Sequence, residues 1–207
     1  MGGFRHVFWD MGGTIVNTYP ELDATLAGVV QGTGQHVDLR EVAAATRIST
    51  GHAIGLLAER FGIPEAEFRQ AEKALKERWR TSPPPPMPGL HDVMAQVPGL
   101  NLVVTHRDRA SATSLLEGLS ITVDDLICTD DGFPRKPDPA MYSEMVRRHG
   151  LDLAGCVGIG DRPIDAESAA AAGMATVTLT TPDLDMPLAG DHEIDELPEL
   201  LEFLAQK

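Results

Sequence analysis

The sequence contains few cysteines, and this shortage excludes an extracellular scaffold held together by disulfides. Only Cys128 and Cys156 occur among the 207 residues. They do not form a CxxC pair, and a small secreted scaffold would carry more cysteines. Because Cys156 lies beside Val157 and Ile159, we predict that it is a buried thiol.

Positive charge and long hydrophobic runs are also scarce. The chain has 17 Lys and Arg against 31 Asp and Glu, a formal net charge of -14. An acidic surface repels nucleic acid and anionic membranes, so neither is an expected partner. A small anionic substrate remains compatible, because local cations or a metal ion reverse the sign inside one cleft. No apolar run approaches the ~20 residues of a membrane span and no signal segment precedes the first strand, so we expect a cytoplasmic protein.

Residues from about 18 to 81 follow a helical pattern. The predicted helices are Pro20–Gln31, Asp38–Ile48, Thr50–Gly62 and Pro64–Arg80. Asp38 is a good N-cap, and Gly62 is a usual helix stop. The fourth helix has one apolar face at helical spacing, formed by Phe68, Ala71, Leu75 and Trp79. The pattern predicts a small all-helical domain, residues 18–82.

A proline-rich segment, SPPPPMPG at residues 82–89, marks the point where the composition changes. Its prolines lack N–H donors and favour stiff, extended backbone. A ligand for a proline-binding partner is one interpretation. A stiff connector between two structural units is the favoured one, because of the segment's position.

Strand-like and helix-like segments alternate beyond this connector. The predicted strands are Leu100–His106, Asp125–Asp130, Gly155–Asp161 and Met174–Thr180, and the opening run Arg5–Trp9 adds a fifth. The predicted helices are Ala110–Leu119, Asp138–Gly150, Arg162–Gly173 and Asp195–Gln206. This alternation predicts right-handed βαβ units. The fold class is therefore α/β, a Rossmann-like parallel sheet sandwiched by helices. This core, residues 1–17 and 83–207, carries the helical domain as an insert.

Three predicted strands end in polar residues: Asp10, Thr105 and Asp161. The loop after another strand carries Lys136, and Asp165 follows Asp161 by four residues. The carboxyl ends of parallel strands are where an open α/β sheet binds ligands, so these residues are expected to meet. Asp161 could instead be only a helix N-cap. Asp10 is harder to explain structurally, because the glycines after it free N–H groups to face an anion.

Four segments resemble the motifs of the haloacid dehalogenase superfamily, in its phosphatase-like branch. They are FWDMGGTIVNT from Phe8, VVTHRD from Val103, GFPRKPDP from Gly132 and GIGDRPID from Gly158. They occur in the family's order and span the whole predicted core. The helical insert lies where this family places a small helical cap, so the chain is similar in layout to phosphoglycolate phosphatases.

The resemblance implies a role for each matched residue. Asp10 would be the nucleophile that accepts a phosphoryl group as an aspartyl-phosphate. Thr105 would hold a phosphoryl oxygen, and Lys136 would neutralise the charge that Asp10 shares with the phosphate. Mg²⁺ would be held by four residues: Asp10, the backbone carbonyl of Gly12, Asp161 and Asp165. Mg²⁺ prefers such oxygen ligands, and phosphoryl transfer depends on positioning and charge neutralisation. We expect Thr14 to brace the loop rather than to react.

Gly12 departs from the family pattern. Phosphatases of the family carry a second Asp there, which protonates the leaving group and then activates water. Such acid–base help is worth about 10²–10⁴ in rate. His106 and Arg107 are candidates for binding substrate, and His106 also for donating a proton near neutral pH. Equally, His106 could be an ordinary loop histidine, and Arg107 could pair with Asp108.

Two classes of function stay open from the sequence. One is a Mg²⁺-dependent phosphatase of a small phosphorylated metabolite, acting as a monomer or homodimer. The other is a degenerate relative that binds a phosphorylated ligand or a protein partner without useful turnover, which Gly12 favours. Phosphonatase or dehalogenase chemistry is a further alternative. A dehalogenase needs no metal, which would leave Asp161, Asp165 and Lys136 unexplained. The phosphonatase alternative would need a reactive lysine in the insert, but Lys73 and Lys76 are expected to form solvated ion pairs.

Overall fold

The structure is a computed structural model that describes residues 3–181, 184 and 189–205. Contacts divide the chain into two compact units. One comprises Met1–Val16 with Pro86–Lys207, and the other comprises Asn17–Pro85. Within the described residues, no helix is both long enough and apolar enough to cross a membrane.

The first unit is built on a six-stranded sheet, and this confirms the predicted α/β class. Its strands are β1 His6–Trp9, β2 Asn101–Val104, β3 Asp125–Ile127, β4 Cys156–Gly160, β5 Ala175–Leu179 and β6 His192–Ile194. The order across the sheet is β3-β2-β1-β4-β5-β6, and every neighbouring pair is parallel. From β1 to β5, each connection between successive strands contains at least one helix, and such long crossovers are what parallel pairing requires.

The central strands are apolar because helices cover both faces of the sheet. Val7, Phe8 and Trp9 of β1 are fully buried, as is Val157 of β4. Trp9 also donates its indole N–H to the side-chain oxygen of Asn101 at 3.0 Å, which satisfies the buried ring nitrogen. Cys156 is buried as predicted, and burial raises the pKa of its thiol to about 11.

Among its described residues, the sheet unit has four α-helices: α5 Leu90–Gln96, α6 Arg109–Gly118, α7 Ala140–His149 and α8 Pro163–Ala171. The last three confirm the predicted helices to within two residues. The alternating pattern did not reveal α5, which has only seven residues, or the three-residue edge strand β6.

The predicted closing α-helix is wrong. Residues Leu197–Phe203 form a 3₁₀ helix instead, and Gln206, at the end of the prediction, lies outside the described residues. Leu204, which directly follows the 3₁₀ helix, forms a parallel bridge with Phe4. Phe4 also donates its N–H to the Phe203 carbonyl at 2.8 Å. This pairing with the start of the chain draws the backbone out of a helical path.

The second unit consists of the four predicted helices, α1 Tyr19–Gln31, α2 Leu39–Ile48, α3 Thr50–Phe61 and α4 Glu65–Trp79. Asp38 caps α2 by accepting from the Arg40 N–H. Gly62 ends α3 with a φ of 66°, a left-handed conformation that glycine adopts without strain. The predicted apolar face of α4 is buried at Phe68, Leu75 and Trp79.

Gly158, in the middle of β4, lets α8 lie directly on the sheet. A Cβ at this position would sit 2.6 Å from the Cβ of Ala169, closer than two carbon atoms can approach. We expect Gly158→Ala to lower the free energy of unfolding by about 1–3 kcal/mol, as overpacking does. Gly155→Ala is the matched control, because its nearest atom would be His6 Cδ2 at 4.0 Å. Equal urea midpoints for the two variants would contradict the packing argument.

Candidate active site

The predicted polar residues meet at the carboxyl edge of the sheet. Asp10 directly follows β1, Thr105 follows β2 and Asp161 follows β4. From β1 the chain passes to β2 on one side and returns later to β4 on the other. The strand order therefore reverses at β1, and such a switch point opens a crevice between loops that diverge. Asp10 and Asp161 flank this point.

Lys136 is the charged centre of the site. It lies in the loop between β3 and α7, and its side chain is fully buried. Its Nζ donates to Asp10 Oδ1 and to Asp165 Oδ1, each at 2.7 Å. Asp165 is in the first turn of α8, so three separate segments converge on one ammonium group. Charge-assisted hydrogen bonds of this length are among the strong ones.

The three charged groups shift one another's pKa values. Burial alone would raise the pKa of Asp10, but the positive charges of Lys136 and Arg162 outweigh it and hold that pKa below its ordinary value. Burial, reinforced by the negative charge of Asp10, raises the pKa of Asp165. Burial would lower the pKa of Lys136, but the two carboxylates raise it well above its ordinary value. Asp10 is therefore ionised and Lys136 charged, while Asp165 is the carboxyl group that takes up a proton more readily.

Three buried carboxylates are close enough to hold one metal ion. Asp10, Asp161 and Asp165 each offer an oxygen, and these atoms lie within 4.8 Å of one another. Oxygen-only ligands suit a hard divalent cation. Asp165 Oδ2 is buried and makes no hydrogen bond within the described part of the chain. Its contact with Arg162 Nε is 3.6 Å long. The donor set therefore fits a cation, which would give Asp165 Oδ2 the partner that no hydrogen bond among the described residues provides.

Asp161 is held by the loop that follows β1. Thr14, which is fully buried, donates its hydroxyl to Asp161 Oδ1 at 3.3 Å. This contact gives Thr14 the bracing role expected for it. The N-cap of α8 is Arg162, so Asp161 does not serve as the cap of that helix.

The two glycines after Asp10 differ in their backbone requirement. Gly13 has a φ of 90°, which a residue with a side chain adopts only with strain. Gly12 lies outside the positive-φ region and forms an extended bridge with Val16. The turn therefore requires glycine at position 13, whereas the backbone at position 12 is compatible with other residues.

His106 contacts the lysine loop. Its Nε2 accepts a hydrogen bond from the backbone N–H of Lys136 at 2.8 Å. Burial and the nearby charges of Lys136 and Arg135 lower the pKa of His106 to about 4. The ring is therefore neutral near pH 7, which argues against its use as a proton donor. No local sequence signal could show this bond, because the partners are 30 residues apart.

The remaining polar candidates have partners of their own. Arg107 donates to the Ser111 hydroxyl at 3.3 Å. Asp108 is the N-cap of α6 and accepts from the Ser111 N–H at 2.8 Å. In the helical unit, Lys76 pairs with Glu72 at 2.6 Å on an exposed surface, as expected for solvated ion pairing.

Sequence reasoning missed Tyr142, an aromatic residue beside the lysine. It belongs to α7 and is fully buried, with its ring centroid 5.6 Å from Lys136 Nζ. An aromatic face at this distance stabilises a cation. The sequence signal that could have identified Tyr142 is its position on the buried face of α7, six residues after Lys136.

A parallel sheet with a buried lysine, a paired aspartate and clustered acids at its switch point defines a class of α/β protein whose ligand site lies at the carboxyl edge of the sheet. A family model described as haloacid dehalogenase-like hydrolase matches residues 4–173. The chain therefore belongs to the family of haloacid dehalogenase-like hydrolases, as the four sequence segments indicated.

Curated relatives agree with this membership, and a solved structure shares the fold. The chain is 28% identical over 195 residues to a phosphoglycolate phosphatase from Rhodospirillum rubrum, covering 85% of this chain and 79% of that one. It is 27% identical over 188 residues to a phosphoglycolate phosphatase from Mesorhizobium japonicum, covering 84% and 81%. A HAD family hydrolase from Deinococcus radiodurans, solved with bound phosphate and sodium, shares the fold. Its TM-score is 0.80 at 18% identity, and all of both chains is covered.

The low pKa of His106 makes stability depend on pH. A ring with a pKa of about 6.5 when unfolded and about 4 when folded stabilises the fold fully above pH 6.5. That contribution is lost as the pH falls towards 4. We expect wild type to lose stability relative to His106→Gln between pH 7 and pH 4.5, because glutamine does not titrate and the carboxylates are common to both. Urea denaturation at several pH values measures the difference in the free energy of unfolding between the two proteins. A difference that stayed constant with pH would contradict the lowered pKa of His106.

Proposed function

We propose that this protein is a Mg²⁺-dependent phosphatase that hydrolyses a small phosphorylated metabolite through an aspartyl-phosphate at Asp10. The observation that carries the proposal is the pairing of an ionised, buried Asp10 with Lys136 at the switch point of the sheet. The curated relatives named as phosphoglycolate phosphatases support the substrate class. We also propose that residues 18–82 form the cap domain of this hydrolase, with residues 1–17 and 83–207 as its core.

Each residue of the site has a role in the proposed reaction. A carboxylate oxygen of Asp10 attacks phosphorus, and the bond between phosphorus and the leaving oxygen breaks; the leaving group takes a proton from water and departs as the alcohol. A water molecule then attacks the phosphorus of the aspartyl-phosphate, which releases phosphate and restores the Asp10 carboxylate. Lys136 balances the negative charge of the carboxylate and of the transferring group, and the Thr105 hydroxyl holds a phosphoryl oxygen. His106 and Arg107 border this site as candidates for contact with the rest of the substrate.

The acid cluster would hold Mg²⁺. Asp10, Asp161 and Asp165 would supply carboxylate oxygens, and Gly12 would supply its backbone carbonyl. The ion supplies positive charge that lets two anions, the carboxylate and the phosphate, approach each other. Thr14 keeps Asp161 in place, because its hydroxyl is bonded to that carboxylate.

A second candidate function rests on Gly12, which has no side chain to donate or accept a proton. The charged groups that bind a phosphate are all present, whereas the usual acid–base group is not. A protein of this kind would bind a phosphorylated ligand or a protein partner with little turnover. Turnover by wild type on phosphate monoesters separates the two functions.

Mg²⁺ should stabilise the protein by binding the folded state. At a concentration 100 times its dissociation constant, a ligand adds about 2.7 kcal/mol. We expect saturating Mg²⁺ to raise the melting temperature of wild type and to have a much smaller effect on Asp161→Asn, which has lost one ligand charge. Asp92→Asn, on the exposed side of α5, is the control for a general effect of charge. A wild-type melting temperature that does not respond to Mg²⁺ would count against the metal site.

Asp10→Asn should abolish turnover, because an amide does not form an aspartyl-phosphate. The measurement is phosphate release from a panel of phosphorylated metabolites, with circular dichroism as the check on folding. Acid-quenched wild type should also contain a phosphoryl group that the Asn variant lacks. Wild-type rates in the folded Asn variant would show that covalent catalysis at Asp10 is wrong.

Gly12→Asp should raise kcat for phosphate monoesters by up to about 10²–10⁴ if proton transfer limits the rate. The backbone at position 12 lies outside the positive-φ region, so the backbone conformation itself adds no strain to an aspartate there. Gly12→Asn is the matched control, because it has the same shape and carries no acid. If the Asp and Asn variants were both no faster than wild type, another group would already supply the proton, or phosphate monoesters would not be the substrates.

A further inference from the structure

We propose that His106 is a positioning residue: its neutral ring anchors the backbone of Lys136 and so keeps the lysine ammonium on Asp10. This role replaces that of proton donor. It rests on the proposed function only in so far as Lys136 assists the reaction at Asp10.

The hydrogen bond defines the state of the ring. The backbone N–H of Lys136 points to His106 Nε2 at 2.8 Å, and a backbone amide can only donate. Nε2 must therefore carry a lone pair, which places the ring proton on Nδ1. A protonated imidazolium has no acceptor and would lose the bond.

The charges around His106 favour this neutral state. The groups that face the ring are Lys136 and Arg135 of the lysine loop, Arg162 before α8 and Asp10 after β1. Three of these four groups are positive, and the ring is also partly buried. Both conditions disfavour a second proton on the imidazole.

The loop that carries Lys136 has few backbone N–H groups beside the lysine. Pro134, Pro137 and Pro139 interrupt it, and proline has no N–H to donate. Of the N–H groups between them, that of Asp138 bonds within the loop, to the Arg135 carbonyl at 3.1 Å. Further bonds hold the loop at its two ends: the Thr129 N–H donates to the Arg107 carbonyl at 3.1 Å, and the Asp138 carbonyl accepts from the Ser168 hydroxyl at 2.7 Å. Between these two anchors, the bond to His106 is the one that the backbone of the lysine itself makes with the segment after β2.

A small movement of this backbone would have a large effect on the ammonium group. Lys136 Nζ is fully buried and bonds Asp10 and Asp165 at 2.7 Å each. Bonds this short are sensitive to displacement, and a misplacement of 1 Å near a reacting centre can cost about 10²-fold in rate. Anchoring the residue that carries the ammonium therefore protects both bonds.

The test compares His106→Gln with His106→Leu. The glutamine Oε1 can take the place of Nε2 as an acceptor but does not titrate near neutral pH, whereas leucine offers no acceptor. We expect kcat of the Leu variant to fall by about 10²-fold, and the Gln variant, as the conservative replacement, to recover most of that loss. The Gln variant should keep the pH profile of wild type. His91→Gln, on an exposed position of α5, is the control. Equal losses in the Gln and Leu variants, with the loss of one limb of the pH profile, would identify His106 as the acid and overturn the proposal.

A second measurement does not need activity. Nitrogen NMR of labelled wild type should show His106 as the neutral ring with its proton on Nδ1 at pH 7. A charged ring, or a proton on Nε2, would overturn the proposal even in an active enzyme. If wild type showed no turnover, the phosphatase proposal would fail separately. Calorimetry with inorganic phosphate would then test the positioning role. The Gln variant should bind phosphate as wild type does, and the Leu variant should bind it more weakly. Equal affinities in all three proteins would overturn the positioning role.

Discussion

The buried ammonium of Lys136 is the constraint on which the rest of the site depends. Taking a charge out of water is costly, and removing one partner of a buried ion pair leaves an uncompensated charge. Lys136 is tolerable in the interior because Asp10 and Asp165 each lie 2.7 Å from its Nζ. The fold must therefore bring together the end of β1, the first turn of α8 and a loop between β3 and α7.

The parallel sheet meets this requirement through its topology. Strands that run in one direction end at one edge, and the reversal of order at β1 leaves space there for the loops. Gly158 lets α8 approach the sheet closely, since Ala169 occupies the volume that a side chain would need. The first turn of the same helix holds Asp165. The close packing of α8 on β4 and the position of the carboxylate beside Lys136 are therefore parts of one arrangement.

The proposed reaction needs two kinds of catalytic contribution. Charge neutralisation needs charged groups, and the ionised Asp10 with the charged Lys136 supplies them in a buried site where electrostatic interactions are strong. Proton transfer needs a side chain whose pKa suits the working pH. Gly12 has no side chain, and the neutral ring of His106 is engaged with the backbone of Lys136. In the proposed reaction, Lys136 and a metal ion on the acid cluster would bind the phosphate, while Gly12 supplies no proton.

The sequence by itself determined the α/β class and the four helices of residues 18–82. It also determined the strand ends that carry Asp10, Thr105 and Asp161. These features follow from apolar periodicity, caps and glycines, which are local signals. The short α5, the edge strand β6 and the 3₁₀ ending after Glu196 were decided by packing, since segments so short have no clear period. Only the tertiary structure showed that His106 accepts from Lys136 and is neutral. Both the bond and the pKa depend on groups brought together from distant parts of the chain, and so does the pairing of Lys136 with Asp10, 126 residues away.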